Sequence, residues 1–79
     1  MTEKEGITDY EARAEKAYSA MYDAAPHGVK DCYEDACLYL SQAISIAKKL
    51  GLTAEVERLT ARATHVETVY NHQFRYAGR

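Results

Sequence analysis

The residues best suited to chemistry lie towards the C-terminal end of the chain. Arg58, Arg62, His65, Val69, His72 and Tyr76 fall within about 40° of one line on a helix that turns about 100° per residue. Two permanent cations, two titratable imidazoles and a phenolic tip on one stripe suit an anionic ligand or an acidic protein surface. The candidate ligand-binding residues are therefore Arg58, Arg62, His65, His72 and Tyr76. His65 and His72 are two turns apart, whereas two metal-binding histidines of one helix stand about four positions apart. No metal site and no cofactor are expected. The stripe also has a plain reading, as a solvated face beside an apolar seam.

The two cysteines offer less. Cys32 and Cys37 are five positions apart, about 140° around a helix, and point to different sides. Such a pair is too far apart for an undistorted disulfide, and its spacing is not a common zinc spacing. Both are expected to be small buried hydrophobes. Pairing Cys32 with His27 across a loop is conceivable but favoured by no spacing. There is no glycine-rich phosphate loop, no His-Glu-x-x-His and no nucleophile elbow, so no enzyme activity is expected.

These side chains need helices to hold them. The only proline is Pro26, and the only glycines are Gly6, Gly28, Gly51 and Gly78. They divide the chain into segments of about 8–25, 29–50 and 53–76. In the first, Thr8 and Glu11 have the spacing of a capping box. Ile7, Tyr10, Ala14, Ala17, Tyr18, Met21 and Ala25 then form one apolar stripe. In the second, Val29, Cys32, Tyr33, Ala36, Cys37, Leu40, Ala43, Ile44, Ala47 and Leu50 cover nearly half the helix. So wide a face requires two neighbours, which makes this helix central. Lys48 and Lys49 complement its dipole, and Gly51 suits a left-handed cap. In the third, Thr53 is placed as N-cap, and Leu52, Val56, Leu59, Ala63, Val66, Tyr70 and Phe74 make a seam of threes and fours. Short connections make successive helices antiparallel. The expected fold is an all-α, up-down-up three-helix bundle over 8–76, with a flexible segment at 1–7 and a tail at 77–79.

Residues 33–47 carry an aromatic, a small residue, a large apolar residue and a second small one at Tyr33, Ala36, Leu40 and Ala43. This pattern resembles the second helix of a tetratricopeptide repeat. Small Ala36 and Ala43 let a neighbouring helix approach closely, while Tyr33 and Leu40 fill the space between. The resemblance implies helical-hairpin packing and a role as a protein scaffold.

The chain has 79 residues, a net charge of −2 and a sequence pI near 5.9. A chain this short holds one domain and a thin core. The 47% hydrophobic and 28% charged content is that of a globular protein and not of a disordered one. The charge balance disfavours a nucleic-acid binder. No apolar run is long enough to span a membrane, and the polar start from Met1 has no signal-peptide core. The chain thus reads as a complete cytoplasmic protein.

Seven of the eight aromatic residues are tyrosine, a residue that suits both thin cores and interfaces. Leu38 projects from the polar face of the second helix, and Tyr39 and Ile46 lie on its flank. These three are the candidate interface. Residues 1–40 hold nine acids and four bases, whereas 41–79 hold three acids and six bases. Opposite charges therefore face each other, either between helices within one chain or between chains. The expected function is a non-catalytic interaction module that docks on a protein partner or forms a homodimer. The alternative is an anion- or metal-ligand-binding module built on the Arg/His stripe.

Overall fold

A computed structural model of the chain describes residues 3–74. In chain order these form α1 (Glu3–Asp23), a 3-10 turn (Pro26–Gly28), α2 (Val29–Lys49), α3 (Thr53–Val69) and a π-helical turn (Tyr70–Phe74). No strand occurs among the described residues. The three helices pack as an all-α bundle in which α2 lies against both α1 and α3. Its Cα atoms extend 40 × 22 × 13 Å, so the bundle is a thin slab.

The principal core comprises Ile7, Ala14, Ala36, Leu40, Ala43, Ala47, Leu59 and Val66. Half of these residues are alanine, so the helices can approach closely but little apolar area is buried per residue. Tyrosine rings extend the core towards the surface at each helix seam. Tyr10 stacks near Tyr39 between α1 and α2, with ring centroids 6.3 Å apart. Tyr33 of α2 stacks on Tyr70 beyond α3, at 4.0 Å and an interplanar angle of 11°. Tyr22 of α1 meets Phe74 edge-on at 5.0 Å. A second small core of Met21, Val29 and Val69 closes that end of the bundle.

The connections follow local backbone rules. Ala25 is extended, at φ −61° and ψ 153°, as the residue before a proline must be. Gly51 has φ +72°, and around it Leu52 N–H donates to the Ala47 carbonyl and Gly51 N–H to that of Lys48. This is the Schellman arrangement, and it supplies partners for carbonyls that the end of α2 would leave open.

Four boundary expectations need correction. First, α1 starts at Glu3 rather than at residue 8, and Ile7 is buried in the core. Thr8 and Glu11 therefore lie inside a helix already running, and Glu11 is used elsewhere. Gly6 signals contact rather than a turn, because a Cβ there would stand 3.3 Å from Ile46 Cδ1. Second, α1 ends at Asp23, two residues short of the expected 25. Third, Thr53 is the first residue of α3, and its N-cap, Leu52, makes no side-chain cap bond. Fourth, α3 leaves α-helical geometry after Val69, and the wider π turn carries the chain to Phe74. Residues 1–2, the rest of the third segment at 75–76 and the tail at 77–79 lie outside the described residues.

Candidate functional site

The Arg/His stripe of α3 faces α1. Arg62 Nε donates to Glu15 Oε2 at 2.6 Å, and its Nη2 donates to Glu15 Oε1, giving a two-pronged pair. One turn earlier, Arg58 Nη2 donates to Glu11 Oε1 at 2.9 Å and to Glu55 Oε2 at 2.7 Å, while Nη1 donates to Glu11 Oε2. Both guanidiniums are thereby held more firmly protonated than usual, Arg58 by its bonds to Glu11 and Glu55 and Arg62 by its bond to Glu15. Three carboxylates thus surround two cations.

His65 continues the line. Its Nε2 lies 3.5 Å from Tyr18 Oη, which in turn lies 3.1 Å from Tyr22 Oη. The Arg62 guanidinium sits over the Tyr18 ring at 4.9 Å, within cation–π range. The Tyr18 phenol is raised above its ordinary pKa, chiefly by the hydrogen bond with Tyr22 and then by burial. Val69, which sequence spacing puts on the same polar line, is buried against Met21 and Val29. The stripe is therefore the second packing face of α3. His72 is exposed in the π turn, and Tyr76 lies outside the described residues.

The partners missed in the sequence were Glu11, Glu15 and Tyr18. A signal for them existed. Glu11, Glu15 and Tyr18 advance by four and then three, as do Arg58, Arg62 and His65. Each contact joins residues 47 apart. A constant difference, rather than a constant sum, is the mark of parallel helices in register.

The candidate interface on α2 divides. Tyr39 packs on Tyr10, and Ile46 lies beside Gly6, so α1 covers the flank that sequence spacing left open. Leu38 alone of the three stays well exposed, at 54%. It lies opposite the buried Ala36, Leu40, Ala43 and Ala47 stripe, among the exposed Glu34, Asp35, Ser41, Gln42 and Ser45. The cysteines are both free and both half-buried, rather than fully buried as expected. Burial raises the Cys37 thiol, and burial with the Cys37 partner pushes Tyr33 up to about 12.

No family model matches this chain, and neither a curated protein nor a solved structure matches it.

Open depressions mark the surface of the described residues. One, of about 310 Å³, lies between α1 and α2 and is lined by Arg13, Lys16, Ala17, Ala20, Cys32, Asp35 and Tyr39. Another, of about 240 Å³, borders the Gly51 turn. Among the described residues, no group of three His, Cys, Asp or Glu side chains could hold a metal ion. None of the described helices is long and apolar enough to cross a membrane.

Proposed function

We propose that this chain is a small helical docking module that binds protein through the outer face of α2, with Leu38 as its anchor. The observation that carries this reading is the exposure of Leu38, at 54%, on the face opposite the core. The internal aromatic contacts account for Tyr10, Tyr18, Tyr33, Tyr39 and Tyr70 within the fold. They leave Leu38 without a comparable internal role. A leucine on a helix face set among polar side chains fits a helix-in-groove or helix-on-helix contact.

A photoreactive phenylalanine analogue placed at position 38 tests this in the cell of origin. A control carries the same analogue at position 60, on the exposed side of α3. The expected result is one discrete protein adduct from position 38 and none from position 60. Equal labelling from the two positions, or no adduct from either, overturns the reading.

A further inference from the structure

We infer that the partner of the α2 outer face is a second copy of this chain, docked antiparallel about a two-fold axis. The inference rests on the docking role proposed for Leu38 and names its occupant. The exposed line on α2 runs through Glu34 and Asp35, Leu38, Ser41 and Gln42, Ser45, then Lys48 and Lys49. These positions repeat in threes and fours, the spacing of a seam between two helices. The line is acidic at its N-terminal end, basic at its C-terminal end and uncharged at its centre.

That order is self-complementary under reversal. With the two-fold axis between Ser41 and Gln42, position 34 meets 49, 35 meets 48, and 38 meets 45. Glu34 and Asp35 of each copy then face Lys49 and Lys48 of the other. Leu38 of each copy seats over Ser45 of the other, where a short side chain leaves room. An isologous contact of this kind uses the same patch twice and closes at two copies. A parallel pairing would set acid on acid and base on base, so charge selects the antiparallel form. Glu34 also lies 3.8 Å from Lys30 of its own helix, with both side chains more than half exposed. Such a pair is weak enough to exchange.

The contact is modest in size. From position 34 to 49 the helix is about 22 Å long, and one such helix pair falls at the low end of specific interfaces, below about 1,200 Å². Self-association is therefore expected to be weak and to decline with salt, as contacts steered by exposed charge do.

Sedimentation equilibrium of the reduced protein over a concentration series, at low and high salt, is the direct test. The wild type is expected to approach a dimer at low salt, with association at least tenfold weaker in Leu38→Glu. Two charge-reversed variants sharpen it. Glu34→Lys with Asp35→Lys makes the line wholly basic, and Lys48→Glu with Lys49→Glu makes it wholly acidic. All these positions are exposed, and circular dichroism checks that each variant folds. Each variant alone is expected to be monomeric, and their equimolar mixture to form a one-to-one dimer. A wild type that stays monomeric at millimolar concentration, or reversed variants that self-associate like the wild type, overturns the inference. If the wild type is monomeric but position 38 still gives a discrete adduct with another protein, the second-copy inference fails alone. If position 38 gives no adduct, the docking role fails with it.

Discussion

Glu15 and Arg62 form a two-pronged ion pair between α1 and α3, one turn beyond the pair made by Glu11 and Arg58. The two pairs repeat at the same sequence separation. They therefore mark the parallel sense that the short connections impose, and the axial register of two helices that meet mainly through long side chains.

Removing one partner of the Glu15–Arg62 pair tests this directly. Both side chains are about a third or more exposed, so solvent screens the pair. A double-mutant cycle with Glu15→Gln and Arg62→Met should return a coupling of about 0.5–1 kcal/mol. The coupling should shrink in high salt, as read by urea unfolding.

The core is small, so its few large side chains matter disproportionately. Leu40 is fully buried on the central helix. Leu40→Ala should cost about 2–5 kcal/mol, a large share of the stability of so short a chain. Leu50→Ala, at an exposed position, should change stability by less than about 0.5 kcal/mol. Thermal melts followed by circular dichroism would separate the two.

Gly6 and Gly51 should respond with opposite sign to alanine. A Cβ on Gly51 would meet nothing within 4 Å, but its backbone is left-handed. Gly51→Ala should therefore destabilise by about 1 kcal/mol through the backbone alone. Gly6 is helical, and its closest obstruction is the end of the flexible Ile46 side chain. The helix-propensity gain of about 1 kcal/mol should exceed the cost of shifting that methyl group, so Gly6→Ala should stabilise slightly. Urea midpoints measure both.

Tyr33 sets an alkaline limit. Burial pushes its phenol up to about 12 from an ordinary value of 10.0. The folded state holds this proton more tightly than the unfolded state, so its contribution is full below pH 10 and is lost between 10 and 12. Tyr18 acts in the same direction. This contribution should be constant up to about pH 10 and fall above it, and Tyr33→Phe should make that fall shallower. Tyrosinate absorbance and unfolding curves recorded across this range test the sign.

The three helices could be read from the sequence because their apolar residues recur at helical spacing. Ala36, Leu40 and Ala43 sit where the pattern puts them, and the width of that face identified α2 as central. The start of α1 was hidden because Gly6 reads as a breaker, and only the fold reveals it as a point of close approach to Ile46. The Arg/His line was visible, but its orientation was not. Its partners lie on another helix, and a line of arginines looks the same whether it faces water or carboxylates. The uneven charge of the two halves of the chain was the one global hint, and Glu11–Arg58 and Glu15–Arg62 account for part of it. Tyrosine pairing was equally hidden, because a ring shows no partner until the helices are placed side by side.

The thinness of the slab has a consequence for how the molecule opens. Its shortest dimension is 13 Å between Cα atoms, so no peptide group lies far from solvent. If either outer helix lifts away, the other can stay paired with α2, which packs on both. Amide exchange should then be graded rather than all-or-none: slowest along the inner face of α2, faster along α1 and α3, and fastest where helices end. Cooperativity in this chain therefore depends on α2, the one element that both partial openings leave in contact.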